Sequence, residues 1–472
     1  MRQVFRKIPV YTGDVSGVCS ALFELGGMIV MHDPSGCNST YNTHDEIRWY
    51  DHDSLIFISG LNEMEAIMGS DEDLIRDITE SANIYSPEFI AIANSPIPYI
   101  TGIDFDAICR LVEEKTGIPA FYITTNGMHD YTRGAGLAFR QLAERFVKAP
   151  APCEARESNT EIRGVSGGQI KEKTRTDHLE KDGNRPLRCN ILGVTPLDFA
   201  AAASVESLRS KVEAAGFEIV SCWAMGDSLE NIQKSADADV NLLVASSGYP
   251  AAQYMSRKFG IPFTAGIPAE GTEDIYFEAV SKAAETGENQ FPFRERENMT
   301  GNPAAASTSC QGGSDNENSV PVCFIGEPVI MTSLAAQVQR RTGARTHVFG
   351  ATEEADVFLG PEDAALCGEE ELEEALEKLT MAKVPAQRQK QEKAEKEGKA
   401  AKAGKAGKAA KAAKAAYAVL ADIDKTVCVK VVADPYYKDV LPAGCDLISL
   451  PHLAFSGRIL LNDIPDLFRL II

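Results

Sequence analysis

The sequence predicts an α/β protein built from parallel β-sheets that carry helices on both faces. Two patterns alternate along the chain: short apolar runs rich in β-branched residues, and longer helical patterns between them. Compact apolar runs are typical of strands that are buried on both faces of a sheet. Strands that alternate with helices form βαβ units, in which the strands run parallel.

Each predicted element follows from its local pattern. The strand-like runs lie at 27–31, 88–93, 120–124, 188–193, 240–245, 321–326 and 427–432. The helical patterns lie at 72–82, 104–116, 201–215, 249–259, 331–343 and 369–380. A short phrase recurs at Lys115, Lys258 and Arg341, where a basic residue is followed two positions later by glycine. This phrase predicts a helix that ends at the glycine and leads into the next strand.

Three segments interrupt this globular pattern. Residues 151–187 and 287–319 are rich in polar residues and are predicted to be flexible insertions. Residues 383–416 form a Lys/Ala tract with eleven basic and three acidic residues and no apolar stripe to bury. We interpret the tract as a linker, flexible or a single helix; the alternative is a docking arm for an acidic partner. The rest of the chain forms three predicted Rossmann-like αβα domains, at 1–150, 188–286 and 320–472, the last interrupted by the tract.

Composition excludes several classes of protein. Lys and Arg number 47 against 68 Asp and Glu, so the net charge is −21 and phosphate backbones are repelled. Nucleic acid is therefore not an expected partner. No apolar run reaches the ~18–20 residues that span a bilayer, and no apolar stretch follows the basic N-terminus, so we expect a cytoplasmic protein without a membrane anchor. The eleven cysteines are scattered without a CxxC pair, which argues against a disulfide framework and a zinc ribbon.

Common ligand-binding fingerprints are missing from the sequence. It contains no Walker A motif, no GxGxxG after a strand, no HExxH and no GxSxG. We therefore predict no ATP site on this chain. Gly193 and Gly326 follow predicted strands, where open α/β sheets bind ligands, but without a full fingerprint they are interpreted as tight turns.

The densest set of reactive residues lies between 11 and 69. Gly36 and Cys37 follow the strand-like run 27–31. A glycine and a thiol at the carboxyl end of a strand let a metal cluster approach the backbone closely. Cys19 and Asp14 precede this strand. Taken alone, a single Gly-Cys pair is a weak signal, since a free cysteine is most often a small buried residue.

A polar and aromatic stretch follows Cys37. It contains His44, Arg48 and His52 within a few residues of one another. His44 and His52, with the carboxylates around them, would suit a zinc site by residue type, but the spacing matches no zinc pattern. A hydrogen-bonded loop is the alternative interpretation.

The order of four sequence blocks strengthens the interpretation of Cys37 as a metal ligand. Residues 32–37 (His-Asp-Pro-Ser-Gly-Cys) resemble the His-Gly-Pro-x-Gly-Cys segment of the nitrogenase component 1 superfamily. Residues 59–69, 94–106 and 117–127 resemble the next three blocks of that superfamily, in the same order. Beyond residue 188 the resemblance is looser, and it extends over the chain apart from the three interrupting segments.

The resemblance implies a fold, a cofactor and partners. The fold would be three αβα domains with parallel four- to five-stranded sheets. Two such subunits would pair, as a homodimer or as a heterodimer or tetramer with a related component 1 subunit. An iron–sulfur cluster, [4Fe–4S] in type, would lie at the subunit interface on cysteines of the first domain. Electrons would come from a separate ATP-hydrolysing iron protein.

The expected cluster ligands carry over only in part. Cys37, next to Gly36, matches the Gly-Cys ligand of the family. Ser95 stands where the family often has a further cysteine, and Cys19 comes several residues after the position of the first family cysteine, near Asp14. The ligands would be Cys37 with Cys19, or Cys37 with oxygens of Asp14 and Ser95. Two thiolates per chain across a two-fold axis would complete four ligands; the opposing interpretation is a member that has lost its cluster.

The resemblance also implies a function. We expect a nitrogenase-like oxidoreductase subunit that passes low-potential electrons to an unidentified small molecule. Dinitrogen is not the expected substrate, because the second domain lacks the cofactor cysteine and the surroundings of His452 differ from the family's. His44, Arg48 and His52 are candidate catalytic residues, as proton donors or anion contacts. The alternative is a non-catalytic scaffold for cluster assembly, or a partner-binding subunit of the same fold.

Overall fold

The computed structural model describes residues 10, 12–34, 54–69, 71–149, 185–200, 202–296, 320–366, 369–381 and 429–472. Five predicted site residues lie outside the described residues: Gly36, Cys37, His44, Arg48 and His52. The Lys/Ala tract and most of the two polar segments lie outside them as well. The described chain forms two compact units. The larger takes its residues from Gly13–Pro268 and Glu273–Pro292, and the smaller from Met1–Thr12, Ala269–Thr272 and Phe293–Ile472.

The larger unit contains two parallel sheets. The strands of the first sheet are β1 Met28–His32, β2 Leu55–Ile58, β3 Ile90–Asn94 and β4 Ala120–Ile123. Their order is β2-β1-β3-β4, and every neighbouring pair is parallel. The central strands β1 and β3 are buried along their whole length, as their unbroken apolar sequences require. The edge strand β2 is only half-buried.

Six helices accompany the first sheet: α1 Asp14–Leu22, α2 Glu63–Met68, α3 Asp71–Tyr85, α4 Pro96–Thr101, α5 Phe105–Thr116 and α6 Tyr131–Arg145. Helix α2 begins with a capping box between Asn62 and Glu65, which satisfies two of its first backbone N–H groups. One face of α3 and α5 is apolar and packs against the sheet. The resulting core cluster includes Leu74, Ile78 and Val112.

The second sheet of the larger unit comprises β5 Arg188–Val194, β6 Glu218–Ala224, β7 Val240–Leu243 and β8 Phe263–Ala265, in the order β6-β5-β7-β8. Its helices are α7 Pro196–Phe199, α8 Ala202–Ala214, α9 Leu229–Gln233, α10 Tyr249–Phe259 and α11 Glu273–Thr286. Gly193 belongs to β5, and its carbonyl oxygen accepts the Thr195 N–H at 3.1 Å, which closes a three-residue turn at the end of the strand. A Cβ at Gly193 would lie 2.8 Å from the Ala245 carbonyl oxygen, so this position requires glycine for close backbone approach.

The smaller unit is built on one five-stranded parallel sheet. Its strands are β9 Val322–Gly326, β10 Thr346–Gly350, β11 Ala364–Ala365, β12 Val429–Ala433 and β13 Cys445–Ser449, in the order β11-β10-β9-β12-β13. Its helices are α12 Pro328–Thr342, α13 Glu369–Met381 and α14 Leu453–Ser456. The chain passes directly from Gly326 into α12, where the Glu327 carboxylate accepts the Ile330 N–H at 2.8 Å.

The predicted fold class is confirmed: all three sheets are parallel, with four, four and five strands. The glycines of the recurring phrase, Gly117, Gly260 and Gly343, end α5, α10 and α12 with positive φ. The three sheets fall within 1–150, 188–286 and 320–472, but the first two share one compact unit, so the domain boundaries stay a prediction. Within the described part of the chain, no helix is both long and apolar enough to cross a membrane.

Candidate functional site

The carboxyl edge of the first sheet collects several of the predicted site residues. Strands β1 and β3 run side by side, and His32 at the end of β1 lies opposite Asn94 at the end of β3. The next residue, Ser95, donates its backbone N–H to the His32 carbonyl oxygen at 3.3 Å. The chain leaves β1 at this point towards Gly36 and Cys37. Ser95 therefore lies beside the start of the segment that carries the predicted thiolate ligand.

Asp14 reaches the same edge from the start of α1. Its side chain accepts the Val15 N–H at 2.8 Å and the Asn126 and Gly127 N–H groups at 3.0 Å each. Residues 126 and 127 belong to the loop that follows β4. Asp14 is 1% exposed, and burial raises the pKa of its carboxyl group, although these backbone hydrogen bonds and His129 act in the opposite direction. Both oxygens thus position a loop, and the role of Asp14 as a cluster ligand stays a prediction.

Two glycines fix the position of Asp14 by bringing α1 and α6 into backbone contact. A Cβ at Gly17 would lie 2.1 Å from the Tyr131 carbonyl oxygen. A Cβ at Gly134 would lie 1.8 Å from the carbonyl oxygen of Asp14 itself. Because no side chain fits between the helices, the start of α1 is held against α6.

Ser95 is buried, with 1% of its surface exposed. Its Oγ has no hydrogen-bond partner among the described residues, and it does not cap α4 although it occupies the N-cap position. An unsatisfied buried hydroxyl costs about 1–3 kcal/mol. Buried hydroxyls in native folds usually have a partner, which for Ser95 would be an ordered water, an ion or a group outside the described residues. Ser95 is the position at which the resemblance predicts a cluster ligand.

A tight hydrogen-bonded group holds the backbone next to Ser95. The Asn94 N–H donates to the Thr125 hydroxyl at 2.9 Å, and that hydroxyl donates to the Asn94 carbonyl oxygen at 2.8 Å. The Tyr122 hydroxyl donates to the Asn94 side-chain oxygen at 2.5 Å. Burial raises the pKa of Tyr122 to about 12, so its phenol remains a donor at neutral pH. The end of β3 is therefore rigid, which keeps Ser95 in place.

Cys19 is buried, as Asp14 and Ser95 are. It is fully buried in α1, five residues after Asp14, a separation of about 7.5 Å along the helix axis. The described residues contain no group of three or more His, Cys, Asp or Glu side chains that could hold a metal ion. The structure thus brings Ser95 and Asp14 to one edge, while Cys19 is not part of a described metal-binding group. Its role as a ligand stays a prediction.

His32, the first residue of the block 32–37 that resembles the family, belongs to this edge, although it was not among the predicted site residues. It is 3% exposed, and its Nδ1 is hydrogen-bonded to the Ser59 hydroxyl at 2.8 Å. Burial lowers the pKa of His32, outweighing the nearby carboxylates, so the imidazole is neutral at pH 7. The available signal was a polar residue at the end of an apolar strand run.

An exposed apolar surface, which we call the apolar rim, flanks this edge. It consists of side chains on α2, on α4 and in the loop after β4, each between 38% and 79% exposed: Met64, Ile67, Met68, Ile97, Tyr99, Ile100 and Met128. Helices α2 and α4 are in contact, and Gly127 packs on Pro96 at the start of α4. Contiguous apolar surfaces of this kind are typical of interaction sites.

A family match agrees with the fold. Residues 16–398 match the model of the family described as nitrogenase component 1 type oxidoreductase. The chain belongs to this family, as the order of the four sequence blocks predicted.

Individual relatives are distant. The nitrogenase iron-molybdenum cofactor biosynthesis protein NifE of Methanosarcina barkeri is 23% identical over 46% of this chain and 42% of its own length. A subunit of the light-independent protochlorophyllide reductase of Methylobacterium radiotolerans is 30% identical over 29% of this chain and 21% of its own length. The chain thus spans less than half the length of these curated relatives. A solved structure, nitrogenase Cp1 at pH 5, aligns with a TM-score of 0.45 and 15% identity over 74% of this chain and 66% of its own.

Proposed function

We propose that this chain is one subunit of a nitrogenase-like oxidoreductase that reduces a small molecule other than dinitrogen. Low-potential electrons would come from a separate ATP-hydrolysing iron protein and pass through an iron–sulfur cluster at the carboxyl edge of the first sheet. The observation that carries the proposal is the buried Ser95 hydroxyl, which lacks a partner among the described residues and lies beside the end of β1. Family membership supports the same class of chemistry.

The donor set that the resemblance implies would suit an iron–sulfur cluster at this edge. Cys37 follows His32 by five residues, so it lies at most about 18 Å from the end of β1 along an extended chain. Cys37 and Cys19 would supply thiolates, and Ser95 an oxygen or a hydrogen bond to sulfur. Gly36 would let the backbone approach the cluster. When bound, the cluster would supply one-electron redox chemistry.

The residues of this chain would hold the edge in shape before a cluster binds. Asp14 ties the loop after β4 to α1, and the hydrogen bonds of Asn94 fix the end of β3. Rigid support from surrounding hydrogen bonds is what positions ligands and tunes a metal site. His44, Arg48 and His52 remain candidate proton donors or anion contacts for the substrate. Their placement is part of the proposal.

A second copy of the fold would complete the site. The apolar rim exposes seven large apolar side chains next to the candidate edge. Covering them with an identical or a related component 1 subunit would bring two sets of ligands together across one interface. ATP hydrolysis would belong to the iron protein, so its association with this chain would depend on the nucleotide it binds.

The second candidate function is a scaffold on which a cluster is assembled. Two observations favour it: serine at position 95, where the family often has cysteine, and the resemblance to NifE, whose name refers to cofactor biosynthesis. A scaffold binds its cluster weakly and releases it, so an incomplete thiolate set would suit that role.

The test is anaerobic reconstitution of the full chain with iron and sulfide, followed by iron analysis and absorption spectroscopy. We expect a brown protein whose absorbance bleaches with dithionite. Cys37→Ser should lose most of the bound iron, and Cys19→Ser should lose iron if Cys19 is the second thiolate. Cys109→Ser is the matched control, because Cys109 is buried in α5 and burial raises its pKa to about 12.

Two outcomes decide between the functions. Electron transfer that requires the iron protein and ATP supports the oxidoreductase. Transfer of the intact cluster to an apo acceptor protein supports the scaffold. Equal iron in Cys37→Ser and the parent protein would contradict both proposals as stated.

A further inference from the structure

A pocket of about 140 Å³ lies on the first sheet, between its strands β1 and β2 and helix α3. Its apolar lining includes Val30, Phe57, Leu74 and Ile78. Three of these side chains belong to the buried core, and Phe57 on the edge strand packs against it. Among the described residues, the core side chains leave an apolar surface here that they do not fill. A cavity of this size in an apolar interior accommodates roughly one benzene ring.

One end of the pocket is polar and fixed. His32 and Ser59 line it and are hydrogen-bonded to each other at 2.8 Å. Ser59 is held in turn by its backbone N–H, which donates to the Met31 carbonyl oxygen at 3.0 Å. This end brings two polar side chains to an apolar surface without bringing a charged base to it.

The rim of the pocket is acidic. Glu65, Asp73 and Asp77 all line it. Arg76 bonds to Asp73 at 2.5 Å and to Asp77 at 3.1 Å, so one positive charge stands against three negative ones. The remaining negative potential attracts cations and repels anions. Small-molecule sites typically combine an apolar lining with a few placed polar groups, as this pocket does.

We propose that this pocket binds a compact organic cation, an ammonium group on an apolar body the size of one ring. The apolar body would lie on Val30, Phe57, Leu74 and Ile78, and the ammonium would face the acidic rim. This site uses neither Cys37 nor Ser95, so the proposal does not depend on the proposed cluster.

The test uses the full chain without a reconstituted cluster, titrated calorimetrically with phenethylammonium. Phenylacetate serves as the probe of opposite charge and similar shape, and phenethyl alcohol as the neutral probe. We expect the ammonium to bind at least tenfold more tightly than the carboxylate, with the alcohol in between. Added salt should weaken binding of the ammonium probe more than binding of the alcohol, because the carboxylates that line the pocket are open to solvent.

Matched variants on α3 locate the binding. Ser81 lines the pocket, so Ser81→Phe should abolish binding; Asn83 is exposed on the same helix, so Asn83→Phe should leave it unchanged. Asp77→Asn should lower the affinity for phenethylammonium several-fold. Glu80 is also exposed but lies outside the lining described, so Glu80→Gln should leave the affinity unchanged.

Three results would overturn the proposal. They are no measurable heat with phenethylammonium up to about 10 mM, equal affinity for the ammonium and the carboxylate, and unchanged binding in Ser81→Phe. Since the protein is free of cluster throughout, none of these results bears on the redox function.

Discussion

Two buried carboxylates, Asp363 in the smaller unit and Asp14 in the larger, are held in contrasting ways. Asp363 is paired with the Arg296 guanidinium through both of its oxygens and accepts the Val348 and Gly360 N–H groups at 2.9 Å each. Asp14 accepts only backbone N–H groups, and no Lys or Arg side chain pairs with it among the described residues. Asp363 is paired with a counter-ion, whereas Asp14 is held by backbone N–H groups, with His129 acting on it electrostatically.

The difference indicates a structural role for the Asp363 ion pair and marks Asp14 as part of a candidate site. A buried carboxylate with a guanidinium and two N–H donors has every lone pair engaged and no charge left over. A buried carboxylate without a cation keeps a net negative charge when ionised, which raises the free energy of the folded state. Asp14 accepts the Gly127 N–H, and Gly127 packs on Pro96, the residue after Ser95, at the edge where a cluster is proposed. Uncompensated polar groups thus collect at this edge.

The largest expected effect on stability follows from removing the cation of the Arg296–Asp363 pair. Arg296→Met would leave the Asp363 carboxylate, which is fully buried, without its counter-ion. We expect the smaller unit to lose about 3–5 kcal/mol of stability. Urea unfolding followed by limited proteolysis with mass spectrometry would assign the transition to that unit.

An exposed ion pair in the same unit supplies the control for Arg296→Met. Arg345 pairs with Glu362 at 2.5 Å, with the Arg345 side chain 67% exposed. Solvent screens this pair, so Arg345→Met should cost less than about 1 kcal/mol. Similar losses from both variants would show that the burial of Arg296 does not determine its contribution.

A smaller loss is expected when Asp14 is removed. Asp14→Ala would leave the Asn126 and Gly127 N–H groups without an acceptor, at a cost of about 3 kcal/mol. If the edge holds the proposed cluster, the loosened loop should also lower the iron retained after reconstitution. Thermal unfolding and iron analysis on the same samples would measure both effects.

Asp104 is the matched control for Asp14→Ala. Its carboxylate caps α5 by accepting the Ala107 N–H at 2.9 Å, at an exposed position of the same unit. Asp104→Ala should cost about 1 kcal/mol, as loss of an N-cap does. Its iron content should equal that of the parent. If Asp104→Ala also loses iron, the loss in Asp14→Ala cannot be attributed to the loop at the candidate edge.

Much of the fold was predictable from the sequence because it depends on local patterns. The helical pattern 72–82 matches α3 Asp71–Tyr85, and the pattern 249–259 matches α10 Tyr249–Phe259. Helix α6 Tyr131–Arg145 was missed, because Gly134 and Gly136 interrupt its pattern with residues of low helix propensity. Gly134 is explained only by the close contact with α1, which is 120 residues away in sequence.

The candidate site was less predictable, because it depends on contacts between residues far apart in the sequence. Asp14 and Ser95 were singled out through a resemblance to a family, which gave their positions but not their contacts. Asp14 is bonded to residues 126 and 127, more than 110 positions away, and no periodicity encodes such a pairing. The edge strand β2 Leu55–Ile58, which brings Ser59 to His32, is four residues long and only half-buried. A pattern that short carries little signal.

The smallest expected effect concerns pH and tests which influence dominates at Asp14. Burial raises the pKa of this carboxyl group above 3.8, while its three backbone N–H bonds lower it. A raised pKa in the folded state means that folding favours the protonated form. The stabilising contribution is then fully present below pH 3.8 and is lost as the pH rises through the folded-state pKa.

The comparison of the parent protein with Asp14→Asn isolates this group, since the other carboxylates titrate alike in both. The stability of the parent relative to the variant should fall as the pH rises from below 3.8 and then level off. Thermal melts of both proteins at matched ionic strength would give this difference at each pH. If the relative stability rises with pH instead, the hydrogen bonds from Val15, Asn126 and Gly127 outweigh desolvation. Asp14 would then be held as firmly as Asp363, without needing a cation, and the contrast between the two carboxylates would disappear.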